Sequence, residues 1–166
     1  MRIAAGTIFG LLMIAGSTQL LVSGQELKNE SSREAENNSS RDNRIVGTWQ
    51  TLVTPRNCQT GVQVAPAFPG LLTFNRGGTL TGTSTVVSTV YGVWNRNRFV
   101  QSYSFAFISL RYSPAGAFIG TQKVRQTAEL GASGNDFTTT GTVEVLDASG
   151  NIIATGCSTS TGTRFE

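Results

Sequence analysis

The chain has 166 residues with no histidine and two cysteines, which removes serine–histidine catalysis and histidine-ligated metal centres from consideration. Its 13 Lys and Arg exceed its 10 Asp and Glu by three, and they are scattered along the sequence, too thin an excess for a nucleic-acid footprint. Nucleic acid is therefore not an expected partner.

Residues 3–22 form an uncharged apolar run behind Arg2. About 20 such residues suffice to cross a bilayer. The N-terminal position and the small residues of Val22-Ser23-Gly24 favour instead a secretory signal peptide over residues 1–24, with no stable membrane span once it is cleaved. The expected location is secreted or periplasmic. Residues 25–44 are dense in Glu, Asn, Ser and Arg, with Leu27 the only large apolar side chain, so they cannot bury enough surface to offset the entropy of ordering. A disordered polar linker is expected there. Asn29-Glu30-Ser31 and Asn38-Ser39-Ser40 fit the glycosylation acceptor pattern, which matters only in a eukaryotic secretory route.

Residues 45–166 make one domain of about 120 residues, a common size for a single core. Turn-forming clusters at Arg76-Gly77-Gly78, Pro114-Ala115-Gly116, Ser133-Gly134-Asn135 and Asp147-Ala148-Ser149-Gly150-Asn151 punctuate runs rich in Thr, Val, Ile and Phe. They predict strands at 46–54, 70–75, 79–86, 89–95, 99–113, 117–130, 136–146 and 151–165. No window of the domain combines helical periodicity with helix-forming composition. In the sixth strand Phe118, Gly120, Gln122, Val124, Gln126, Ala128 and Leu130 share one face, and the charged residues Lys123, Arg125 and Glu129 share the other, which is the outside.

Trp49 opens this domain and Arg164 closes it, the spacing expected if the first and last strands pair and close a barrel. A guanidinium there can lie across the indole face. Residues facing each other on antiparallel strands keep a constant index sum, and the sums for Trp49 with Arg164 and for Cys58 with Cys157 differ by two. A bulge at Pro55, which cannot donate to a ladder, would absorb that difference. Two cysteines in an exported domain predict a disulfide between Cys58 and Cys157 that staples the seam. Placing Arg164 inward also turns Ala154, Gly156, Ser158, Ser160 and Gly162 inward, a row of little volume. The space beside it must be filled by larger residues or remain a cavity. Trp94, Tyr103, Phe105, Phe107 and Phe118 are the residues expected to face it, and the disulfide is expected on the outer wall.

The Gly47-Thr48-Trp49 and Arg164 pair, separated by a meander of this length, resembles the lipocalins and their wider calycin relatives. The resemblance implies an eight-stranded antiparallel meander β-barrel in which Trp49 plugs the closed end and Arg164 covers it. An avidin-like barrel, or one of allene oxide cyclase or dirigent type, also has eight strands and stays open as an alternative.

The leading functional expectation is a secreted protein that holds a small hydrophobic molecule inside the barrel, without a cofactor, metal or catalytic residue. Asp136 and Asp147 fall in turns, and Glu129 and Glu144 point outward, so no carboxylate pair has the inward parity that glycoside hydrolysis needs. A barrel enzyme of cyclase or dirigent type would steer a reactive intermediate by shape, with Arg96 or Arg111 as a source of buried charge. A structural or adhesive surface module would instead use the Thr-rich outer faces.

Overall fold

The computed structural model describes residues 44–97, 100 and 102–166. The signal peptide expected over 1–24, and the linker expected over 25–44 apart from Arg44, lie outside the described residues. The fold is all-β. Its strands are β1 (Gly47–Arg56), β2 (Phe68–Phe74), β3 (Thr79–Ser84), β4 (Val90–Asn97), β5 (Ser102–Tyr112), β6 (Phe118–Leu130), β7 (Asp136–Asp147) and β8 (Ile152–Arg164). Each pairs antiparallel with the next, and β8 returns to β1 to close an eight-stranded barrel in meander order.

The seam runs without interruption from Trp49 opposite Arg164 to Arg56 opposite Cys157. The bulge expected at Pro55 is absent, and Pro55 stands in register with Ser158. The offset between the two pairs has another cause: β1 ends at Arg56, and Cys58 lies in the turn that follows. The Asn57 side-chain oxygen builds that turn by accepting the N–H groups of Gln59 and Thr60 at 2.9 and 3.0 Å. Cys58 bridges to Cys157 across a separation of 99 residues, with Cα atoms 5.1 Å apart. Cys58 is exposed and Cys157 half-buried, on the outward-facing set of β8. Closing a loop of that length restricts the unfolded chain by about 4.7 kcal/mol in the chain-entropy model.

One end of the barrel is packed shut. Trp49 is fully buried, its ring 4.9 Å from that of Phe137, and Phe74 reaches Phe105 and Phe137 at 5.3 and 6.3 Å. The Arg164 guanidinium lies 4.3 Å from the Trp49 ring centroid. It donates to the carbonyls of Val46 (2.9 Å), Arg44 (2.6 Å) and Gly134 (3.0 Å), tying the chain entering β1 to the β6–β7 turn. Gly47 precedes the tryptophan for a steric reason: its φ is +133°, and a Cβ there would sit 2.7 Å from Arg164 Nη1. The small-residue row of β8 is filled at this end. A Cβ on Gly162 would lie 2.3 Å from the Phe137 ring, so the phenyl occupies the volume that the glycine leaves.

Two register shifts mark the other end. Between Arg111 and Tyr112 the partner on β6 changes from Gly120 to Phe118, leaving Ile119 as the extra residue. Gly120 accommodates the kink with φ +136°, in a spot where a Cβ would be 2.0 Å from the Leu146 carbonyl oxygen. The second shift falls between Val145 and Leu146, where Ile153 of β8 is unpaired. The first overturns the placement expected for Phe118. One inserted residue reverses side-chain parity, and Phe118 is turned out of the barrel, 46% exposed against Tyr112 with ring centroids 6.1 Å apart.

Candidate functional site

Above the aromatic floor the barrel is not filled. A cavity of about 340 Å³ opens toward the β1–β2, β3–β4 and β7–β8 loops. Its walls come from inward positions on successive strands: Val53 on β1, Leu72 on β2, Val124 on β6, Val143 and Val145 on β7. Phe105 and Phe107, stacked with centroids 6.3 Å apart, form part of its base. Strand alternation puts these side chains inside and turns their sequence neighbours, such as Leu52, Leu71, Thr142 and Glu144, to the outer face.

The space exists because β8 contributes almost no volume here. Ala154, Gly156, Ser158 and Ser160 line the cavity, and a Cβ built on Gly156 would meet no atom within 4 Å. At Gly162 the same row faces Phe137; at Gly156 nothing occupies the gap.

The polar groups inside are few and uncharged. Gln126 Nε2 donates to Ser158 Oγ at 2.7 Å, and Ser160 is turned onto Thr139, to which it also gives its backbone N–H at 3.1 Å. Arg56 is the only ionisable side chain along the described lining, and it is held at the rim. Its Nε donates to Thr159 Oγ1 at 2.7 Å and an Nη to the Gly61 carbonyl at 3.0 Å. The carboxylates are elsewhere. Glu144 pairs with Arg125 on the outer wall at 3.1 Å. Asp147 caps the β7–β8 turn, where hydrogen bonds from the Asn151 backbone and side chain, with that of Ser149, hold its carboxyl below the usual range. Among the described residues no group of three or more His, Cys, Asp or Glu is placed to hold a metal. Such an interior can enclose and orient an apolar molecule; among its described lining residues there is no carboxylate, histidine or free thiol to exchange a proton with it.

The residues singled out from sequence separate by height along the barrel. Phe105 and Phe107 line the cavity. Trp94 and Tyr103 belong to the packed floor beneath it, 6.0 Å apart, and the Trp94 indole N–H donates to the Asn75 carbonyl at 2.9 Å. Phe118 lies outside, as described above. Arg96 stands opposite Tyr103 at the closed end and Arg111 opposite Gly120, and neither lines the cavity. Sequence reasoning passed over Gln126. Its signal was present: a long polar side chain on the inward face of β6, among Val124, Ala128 and Leu130.

The rim is apolar. Val62 and Val64 in the β1–β2 loop, Val86 in the β3–β4 loop, and Ile152 and Ile153 at the start of β8 are 57–63% exposed. An apolar molecule entering there would stay in contact with apolar side chains. The chain matches no protein-family model, no curated protein and no solved structure.

Proposed function

We propose that this domain binds one small, largely apolar molecule in the open half of its barrel. The observation that carries the reading is the cavity of about 340 Å³, walled by Val and Phe and floored by packed aromatics, with Arg56 at its rim the only ionisable side chain among the described lining residues. Ligand sites are commonly pockets of about 300–1,000 Å³ with a mostly apolar lining and a few polar anchors. A closed eight-stranded barrel sealed by Trp49 and Arg164 is compatible with a lipocalin-like ligand-binding fold. The disulfide favours an oxidising compartment, which fits a secreted or periplasmic carrier.

For a shape-steering enzyme of cyclase or dirigent type, the two expected sources of charge, Arg96 and Arg111, do not line this cavity, and Arg56 is held at its rim by Thr159 and Gly61. Titration with 1-aminoanthracene tests the binding reading. Saturable enhancement and blue shift of the fluorophore are expected at one site per chain, with Kd on the order of micromolar. Absence of any saturable signal, with the domain folded, would remove the reading.

A further inference from the structure

We propose that the molecule bound in the cavity carries an uncharged hydroxyl group, and that this group enters first and docks on Gln126. The inference rests on the reading of the cavity as a binding site and adds the chemical class of its ligand.

Gln126 is only 7% exposed, lines the cavity, and has one end of its amide engaged: Nε2 donates to Ser158 Oγ at 2.7 Å. The other end, Oε1, is buried without a hydrogen-bond partner among the described residues. Turning the amide over changes the chemistry but not the deficit, because the oxygen would then accept from the Ser158 hydroxyl and the amide N–H groups would be left over. Buried polar groups are rarely left unpaired, since each one stranded costs free energy that folding could have avoided. Gln126 lines the cavity, so a small swing of its side chain carries this closed-off amide end into the space, where a ligand group can pair with it.

A hydroxyl both donates and accepts, so it satisfies Gln126 in either orientation. A hydrocarbon leaves the amide stranded. A carboxylate could pair with the amide in only one of its two orientations and would lose its hydration where no other cation among the described lining residues faces it, Arg56 being tied to Thr159 and Gly61 at the rim. An ammonium would be equally without a counter-charge.

Depth sets the orientation. Gln126 pairs across the sheet with Phe105, whose ring belongs to the aromatic floor, whereas Gln122 on the same face lies two pleat repeats nearer the mouth. The polar end therefore goes in and the apolar body fills the space between Val53, Val124 and Val143. A dry cavity of about 150 Å³ accepts benzene, so about 340 Å³ suits a body of roughly fourteen heavy atoms. The class is a compact alcohol or phenol of that size.

Three shape-matched ligands test this: 2-naphthol, naphthalene and 2-naphthoate, each followed by its own emission with the wild-type domain and with Gln126→Leu. In the wild type, 2-naphthol is expected to bind at least about tenfold tighter than naphthalene, and 2-naphthoate weakest. In Gln126→Leu the preference for 2-naphthol is expected to vanish or reverse while naphthalene binds at least as well as before. Naphthalene binding as tightly as 2-naphthol in the wild type, or a hydroxyl preference that survives Gln126→Leu, would overturn the proposal. Should Gln126→Leu fail to fold, the wild-type ranking of the three ligands decides it. Absence of a hydroxyl preference in the wild type, with 1-aminoanthracene still bound, removes only this inference, whereas absence of all binding in the wild type removes the cavity reading as well.

Discussion

Gly156→Phe is expected to abolish uptake of 1-aminoanthracene while leaving the barrel folded. Gly156 lies within β8 on ordinary strand backbone, outside the set of positive-φ glycines, and a Cβ there meets nothing within 4 Å. Gly156 shares the inward face of β8 with Ser158 and Ser160, so the new ring is directed into the cavity. A site of about 150 Å³ accepts a benzene ring, so the substitution consumes nearly half of about 340 Å³. Burying an aromatic ring in unfilled apolar space adds contacts instead of forcing strain, so the melting temperature should hold or rise. Affinity for the fluorophore should fall by more than about tenfold, since the remaining space cannot admit a three-ring body. Gly141 supplies the contrast. A Cβ there would be 1.9 Å from the Arg125 carbonyl oxygen, so Gly141→Ala should destabilise the sheet itself. Unchanged binding by folded Gly156→Phe would place the fluorophore somewhere other than the barrel interior.

The second large effect is at the closed end. Trp49→Ala should cost about 3–5 kcal/mol in urea unfolding, the range for removing a core tryptophan. It deletes a fully buried ring, its 4.9 Å contact with Phe137, and the indole N–H bond to the Ile45 carbonyl at 2.8 Å. Arg164→Leu should cost about 2–3 kcal/mol, because the carbonyls of Val46, Arg44 and Gly134 lose a charged donor together. The two residues touch through the guanidinium and the indole face at 4.3 Å, so their costs should not add. The double variant is expected to fall short of the sum by about 0.5–2 kcal/mol, the worth of the cation and ring contact. Strict additivity would show that Arg164 acts only through the carbonyls.

How much of this was legible beforehand depends on which dimension of the barrel a residue reports. Pairing of the first and last strands could be read from Trp49, Arg164 and the two cysteines, because antiparallel register reduces to an index sum. Inward and outward faces could be read as well, since parity is fixed by the two-residue repeat; that is why the small row from Ala154 to Gly162 was visible as a row. Height along the axis could not. It depends on the stagger of neighbouring strands, which hydrophobic alternation does not encode. Trp94 and Tyr103 therefore shared a parity with Phe107 yet lie in the floor, and Gly162 is covered by Phe137 while Gly156 is open. Local irregularities were also hidden. The extra residue Ile119 reversed Phe118, and the early end of β1 at Arg56 displaced Cys58 without any bulge at Pro55. Gln126 was on the correct face in the sequence, but its stranded amide end depends on what Ser158, across the barrel wall, can and cannot reach.

The central claim is that the ligand sits inside the barrel, above the aromatic floor. Intermolecular nuclear Overhauser contacts between bound 2-naphthol and the methyl groups of the protein test it most directly. The account predicts contacts to Val53, Val124, Val143 and Leu72, and none to Ile108, Leu110 or Val93 on the outer wall. Contacts confined to those outward methyls, with none to the four inward residues, would contradict it.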